Sequence, residues 1–309
     1  MISIVCPFYN EQDVVAAFFG RLIPVLNETQ EEFEIICIND GSSDNTLLGL
    51  LAAQGRYRGV RIVDLSRNYG KEAALTAGLD IARGDAVIPI DADLQDPPEL
   101  IPRLLEKWRE GFEVVLAQRA NRSKDDWFKS HSAGWFYRVH NRLANVQLAE
   151  NVGDFRLMDR CVVEAIRQLP ERQRFMKGIF AWVGFRTSAV EYVRETRTGG
   201  ATKFSGWRLW NLALEGITSF STMPLRVWTY AGVLVAGASL LYGAFIIIYT
   251  LIEGIKLPGY ASLLVVVTFL GGLQLIGLGV IGEYLGRTYT EAKQRPVYIV
   301  RKTHEPGGQ

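Results

Sequence analysis

Short apolar runs rich in β-branched residues alternate with segments of helical period through the first third of the chain. Strands are expected at Ile2–Pro7, Phe33–Ile38, Val60–Leu65, Ala86–Ile90 and Glu113–Ala117. Helices are expected at Asp13–Asn27, Asp44–Gln54, Lys71–Ala82 and Glu99–Arg109. Near-continuous apolar strands separated by amphipathic helices predict an α/β fold, a mostly parallel sheet with helices on both faces.

The pattern changes after residue 200. Trp207, Trp210, Leu214, Ile217 and Phe220 recur at helical spacing and predict an amphipathic helix lying in a membrane interface, core packing being the alternative. From Val227 to Ile252, and again from Leu257 to Gly282, no charged residue occurs. Each run is long enough to cross a bilayer with some tilt. Arg208 and Arg226 precede the first; Arg287, Lys293, Arg295, Arg301 and Lys302 follow the second. The positive-inside rule then places both termini in the cytoplasm. The expected organisation is a catalytic domain over 1–203, interfacial helices over 204–225, two transmembrane helices within 226–285, and a tail over 286–309. Val297–Val300 in that tail could form a strand returning to the soluble part.

Composition adds mainly exclusions. A net charge of +1 without a Lys/Arg run gives no case for nucleic acid. Cys6, Cys37 and Cys161 are too scattered for a zinc site and read as reduced thiols. The first residues lack the pattern of a cleaved leader.

The chemistry concentrates in the loops that follow strands. Ile90 runs into Asp91-Ala92-Asp93-Leu94-Gln95-Asp96-Pro97-Pro98-Glu99. Acids at the carboxyl end of a strand sit where open α/β sheets bind ligands, and two carboxylates with an amide oxygen suit a hard divalent cation. A solvated acidic turn is the plainer alternative for Asp-x-Asp alone. Pro7-Phe8-Tyr9-Asn10-Glu11 and Asn39-Asp40-Gly41-Ser42-Ser43-Asp44 are loops on the same edge. Asp40 can accept hydrogen bonds from a base or ribose, and Gly41 permits close backbone approach. Ser43 or Asp44 can cap the next helix. Asn68-Tyr69-Gly70-Lys71 opens a further helix, a place that favours anions.

Together and in this order, these loops resemble the family 2 glycosyltransferases of the GT-A fold, in the branch that includes dolichyl-phosphate mannose synthase. The later segments Val152–Met158, Gly199–Ser205, Gly216–Ser221 and Pro224–Arg226 resemble the bacterial bactoprenol glucosyltransferases, which carry two membrane spans. The resemblance implies that Pro7, Tyr9, Asn10, Glu11, Asp40, Gly70, Lys71, Asp91 and Ala92 hold a nucleotide sugar. Asp91, Asp93 and Gln95 would hold Mg²⁺ or Mn²⁺. The implied reaction moves glucose from UDP-glucose to undecaprenyl phosphate on the cytoplasmic face of the bacterial inner membrane, inverting the anomeric carbon. A homotetramer, and a flippase partner for the lipid-linked product, belong to the same expectation.

Asp154 is the candidate general base, with acceptor orientation or helix capping as alternatives; Asp91 and Asp93 complete the catalytic set. Arg119, Arg122, Lys129, Ser132 and Arg156 are the candidates for the acceptor phosphate, arginine offering bidentate geometry and lysine a point charge, and Arg156 could instead pair with Asp154. Arg194, Arg197 and Lys203 could cover the donor diphosphate or touch lipid. Other donors (aminoarabinose, GlcNAc, mannose) and a non-catalytic scaffold remain the competing readings. A processive synthase would carry Gln-x-x-Arg-Trp and more spans, where this chain has Gln173-Arg174-Phe175 and two.

Overall fold

A computed structural model describes residues 1–119, 152–172, 174–193, 223–253 and 259–306. The strands are β1 (Ile2–Phe8), β2 (Phe33–Asn39), β3 (Val60–Leu65), β4 (Ala86–Pro89), β5 (Val114–Arg119), β6 (Val152–Asp159), β7 (Thr187–Tyr192) and β8 (Val300–His304). The helices, renumbered in chain order, are α1 (Val15–Glu28), α2 (Thr46–Arg56), α3 (Lys71–Ile81), α4 (Ile101–Arg109), α5 (Arg160–Arg167), α6 (Met176–Trp182), α7 (Met223–Glu253) and α8 (Tyr260–Ala292). A short 3₁₀ turn, Pro98–Leu100, leads into α4.

All eight strands form one sheet in the order β7-β5-β6-β4-β1-β2-β3-β8. Strands β4, β1, β2 and β3 run parallel, as the alternation with helices requires. Strand β6 is antiparallel between β4 and β5, and β7 pairs parallel with β5. The carboxyl ends of β1 to β5 and β7 therefore share one edge with the amino end of β6. That shared edge is the ligand-binding edge of an open α/β sheet.

Strand parity explains the two layers. On β1, Ile2, Ile4, Cys6 and Phe8 face one core, packed with Phe18, Phe19 and Leu22 of α1, Leu50 of α2 and Leu104 of α4. Val5 faces the other core, with Ala74 and Leu75 of α3, Val162 of α5 and Met176 of α6. Each fully buried Leu, Ile or Phe contributes about 1.5–3 kcal/mol over its exposed state. Gly78 lets α3 lie close to the sheet: a Cβ there would stand 2.2 Å from Val5 Cγ1 and 2.8 Å from Ile38 Cδ1.

The same parity orients β6. Phe155 and Leu157 enter the first core, and Met158 enters the second. Asp154 and Arg156 share parity with Met158, so they point towards α3 and α6.

Helices α7 and α8 are long and apolar enough to cross a membrane, and their large side chains stay exposed: Leu234 is 73% and Phe269 is 64% accessible. Helix α8 runs on past the apolar stretch to Ala292, further than hydropathy alone suggests. The chain then returns to the sheet, a possibility that the sequence left open. The strand it forms lies three residues further on, at Val300–His304, antiparallel to β3. Ile299 still contributes its carbonyl, accepting the Ser66 N–H at 2.9 Å. The tail is fixed further by Tyr298 Oη donating to Asp80 (2.7 Å) and by Arg61 pairing with Glu305 (2.9 Å). Helix α8 itself touches the catalytic part where the Arg172 N–H donates to Glu291 at 2.9 Å. The interfacial helix expected around Trp207 to Phe220 lies outside the described residues.

Candidate active site

Three strand-end loops are bonded into one frame. Asn10, with φ of 54°, turns its backbone so that its N–H donates to Ser42 Oγ (3.1 Å) and its Oδ1 accepts the Ser43 N–H (2.8 Å). The Glu11 N–H donates to Thr46 Oγ1 at 2.8 Å, joining the β1 loop to the start of α2. Asp44 lies one residue outside the N-cap; its Oδ1 accepts from the Thr46 N–H (3.0 Å) and hydroxyl (2.5 Å). Tyr9 stands at this rim with 48% of its surface exposed.

Asp40 directly follows β2 and is almost fully buried. Its Oδ1 accepts the Tyr69 N–H at 2.7 Å and its Oδ2 the Gly70 N–H at 2.9 Å. The carboxylate thus braces the loop that opens α3, a duty the sequence does not signal beside the nucleotide contact expected of it. Gly41 also serves this joint. A Cβ at Gly41 would lie 2.3 Å from the Arg67 carbonyl carbon, and its φ of +61° favours glycine. The close backbone approach expected at Gly41 is therefore made by the chain's own β3 loop.

Bracing α3 sets Lys71 at its first turn. Lys71 Nζ lies 2.7 Å from Asp91 Oδ1, 2.8 Å from Asp91 Oδ2 and 2.5 Å from Asp154 Oδ2. Burial works against the Lys71 charge, but the carboxylates of Asp91 and Asp154 outweigh it and hold its pKa above the ordinary lysine value. For Asp91, burial dominates over Lys71 and raises the pKa. For Asp154, burial also opposes ionisation, yet Lys71, helped by Lys177 and Arg156, brings the pKa below the ordinary value. Two neighbouring carboxylates are thereby pushed apart, and Asp154 stays anionic. It lies within β6, so the helix-capping alternative is removed. Next to Lys71, burial and the Asp154 charge raise Glu72 to about 7. Its Oε2 accepts the Met176 N–H at 3.0 Å, tying α3 to α6.

The acidic turn after β4 is tight: Leu94 has φ of 56°, and Asp93 Oδ1 accepts the Gln95 N–H at 3.2 Å. Among the described residues no three His, Cys, Asp or Glu side chains converge as a metal site. Asp91 and Asp93 nevertheless offer carboxylate oxygens, and Gln95 Oε1 is buried without a hydrogen-bond partner. An orphaned buried acceptor costs about 1–3 kcal/mol unless something binds it. A hard divalent cation satisfies such an all-oxygen set and leaves positions open for phosphate oxygens, so the residues fit Mg²⁺ or Mn²⁺.

Arg119 ends β5 on the same edge. Its Nε donates to Tyr192 Oη (3.1 Å) and its Nη2 to Asp96 (3.3 Å), while Tyr192 also donates to Asp96 through a very short bond. Gly153 gives the guanidinium room, since a Cβ there would stand 3.1 Å from Arg119 Nη2. The buried acid Asp96 and Tyr192, which sequence reasoning missed as supports, thus fix the direction of Arg119. The signal was present in the acid run after Gln95 and in the alternation of Val190 and Tyr192.

For Arg156 the sequence left two partners, Asp154 and the acceptor phosphate, and the fold favours the first: the side chain is 5% exposed and turned inward. Its Nη2 donates to the Gly153 carbonyl at 2.7 Å, and the guanidinium lies 4.1 Å from the centre of the Phe180 ring. Parity places it under the site, where it supports the backbone of Gly153 and Asp154. Arg122, Lys129, Ser132, Arg194, Arg197 and Lys203 lie outside the described residues.

Residues 3–167 match the family model described as glycosyl transferase family 2. A prophage-derived bactoprenol glucosyl transferase of Shigella flexneri is 55% identical over 305 residues, 98% of each chain. A prophage bactoprenol glucosyl transferase homologue of Escherichia coli K12 is 54% identical over 303 residues, 97% of this chain and 98% of that one. A glycosyltransferase of Synechocystis is 56% identical over 299 residues, 97% and 94% of the two chains. Among solved structures, a glucosyl-3-phosphoglycerate synthase from Mycobacterium tuberculosis aligns over 71% of this chain and 77% of its own, at 18% identity and a TM-score of 0.46. By the family match across the sheet and by identity along almost its whole length, the chain belongs to glycosyl transferase family 2: it is a glycosyltransferase of the GT-A fold.

Proposed function

We propose that the protein transfers glucose from UDP-glucose to undecaprenyl (bactoprenol) phosphate at the cytoplasmic face of the membrane, with inversion at the anomeric carbon. The observation that carries this reading is the 55% identity, over 98% of both chains, to the Shigella flexneri protein named for that acceptor and sugar. Two apolar helices in a chain whose other half is a nucleotide-sugar fold support it. A polyprenyl phosphate stays in the bilayer, so its transferase needs an anchor beside a site open to the cytosol. The cationic residues flanking both apolar runs support cytoplasmic termini.

In this reading the joined β1 and β2 loops receive the nucleoside, with Tyr9 at the rim. Asp91, Asp93 and Gln95 would hold Mg²⁺ or Mn²⁺ for the diphosphate. The cation, when bound, neutralises charge on the departing UDP as a Lewis acid. Arg119, aimed by Asp96 and Tyr192, supplies charge and paired donors to the acceptor phosphate. A phosphate monoester has a second pKa near ~6, so the acceptor is already largely anionic at cytosolic pH. Asp154 accordingly need not remove a proton. Held ionised by Lys71, it orients the acceptor and stabilises positive character as the glycosidic bond to UDP breaks.

The test is transfer of label from radiolabelled UDP-glucose into organic-extractable undecaprenyl phosphate by the full-length protein in lipid. Label in the lipid phase that disappears with EDTA is the expected result. Transfer from another donor only would replace the sugar, and no transfer from any UDP- or GDP-sugar by folded protein would overturn the reading.

A further inference from the structure

One ammonium group joins two carboxylates with different duties. Asp91 belongs to the oxygen set for the divalent cation, while Asp154 stands across from it on β6. Lys71 contacts both oxygens of Asp91, at 2.7 and 2.8 Å, and Asp154 Oδ2 at 2.5 Å. A metal ion bound to Asp91 would need one of those same oxygens. Two cations on one carboxylate repel strongly in a partly buried site. Lys71 has somewhere else to go: Asp154 Oδ1 is buried and has no hydrogen-bond partner. Lys71 touches both carboxylates, so its movement onto Asp154 alone would free the Asp91 oxygens for a second cation.

We propose that Lys71 is an internal counter-cation that competes with the divalent cation for Asp91, and whose shift onto Asp154 couples filling of the metal site to fixing of Asp154. Lys71 is then a positioning residue, acting on the reaction through both carboxylates. The free enzyme holds metal weakly, and the donor diphosphate is needed to retain it. Asp154 reaches its final hydrogen bonding only after the metal has arrived. The inference rests on the proposed function solely for the identity of the metal ligands.

The experiment is Mn²⁺ binding to the full-length protein in lipid nanodiscs, without donor or acceptor, followed by the electron paramagnetic resonance signal of free Mn²⁺. Lys71→Met is expected to bind Mn²⁺ about tenfold or more tightly than the unaltered chain. Lys71→Gln, which keeps hydrogen bonding but not charge, should do the same and guards against misfolding of the methionine variant. Asp154→Asn leaves Lys71 to Asp91 alone and should bind Mn²⁺ more weakly. Equal or weaker binding in both lysine variants, confirmed as folded by circular dichroism, would overturn the proposal, as would the absence of Mn²⁺ binding by those variants. The measurement involves no sugar and no lipid acceptor, so a wrong donor or acceptor leaves it untouched.

Discussion

The carboxylate of Asp40 grips the first turn of α3 by accepting the N–H of Gly70 at 2.9 Å, with Tyr69 N–H held beside it at 2.7 Å. Since Lys71 follows directly, the end of β2 governs where the ammonium of α3 stands. Asp40→Asn keeps the size but replaces one acceptor with a donor, leaving a buried N–H unpaired. Hydrogen bonds to charged groups contribute about 1.5–3 kcal/mol, so the variant should lose on the order of 2 kcal/mol. Thermal melting of the purified protein checks this, and an unchanged melting temperature would remove the bracing role.

Asp154→Asn tests the division of labour between binding and chemistry. The amide cannot stabilise positive character at the sugar, whereas the proposed nucleoside and diphosphate contacts lie elsewhere. kcat should fall about 10²-fold or more. With Mn²⁺ saturating, KM for the donor should stay within about threefold. A rise in KM at constant kcat would instead make Asp154 a substrate-binding residue.

Glu72 carries a pH dependence whose sign follows from its environment. Burial first, and the Asp154 charge second, raise its pKa to about 7 from an ordinary 4.5. A carboxyl that is harder to ionise in the folded state contributes stability below its unfolded pKa. That contribution is lost as pH rises through about 7, so the penalty spans roughly pH 4.5 to 7. Glu72→Gln should match the parent near pH 4.5 and become the more stable form near pH 8, by on the order of 2 kcal/mol after allowing for solvent at a half-buried group. Melting temperatures of both proteins across that range give the answer; a constant difference would contradict it.

The returning tail is open to truncation. Ending the chain after Gln294 removes β8, the Tyr298–Asp80 bond and the Arg61–Glu305 pair, and uncovers the β3 edge. The shortened protein should melt at a lower temperature and aggregate more readily, because an unpaired strand edge templates association. Tyr298→Phe alone should show a smaller loss, about 1 kcal/mol.

The parallel half of the fold was legible because each strand from Ile2 to Ile90 is a solid apolar run closed by a loop of polar residues. The acid-rich loops were legible for the same reason: charge right after a buried strand has few structural excuses. Strand β6 was not, since Asp154 and Arg156 interrupt its apolar face, and only Phe155, Leu157 and Met158 declare it. Strand β7 hides in a similar way, with Val190 and Tyr192 buried among exposed residues. Its order beside β5 depends on long-range pairing that no local period encodes. Arg156 stays open between Asp154 and phosphate in the sequence because a motif gives residue type without direction; the pleat turns its guanidinium beneath the site. Lys71 was assigned to the donor from resemblance, while its contact with both Asp91 and Asp154 needed α3, β4 and β6 in register.

The antiparallel tail alters how the catalytic body hangs from its anchor. On leaving α8 the chain is stitched to the β3 edge through Val300–His304, and α8 itself is held where the Arg172 N–H donates to Glu291. A rod fixed at one point can swing and spin; a rod fixed at two can only rock. The end of α8 and the sheet therefore move as one piece, and a tilt of that helix is passed directly to the β3 edge.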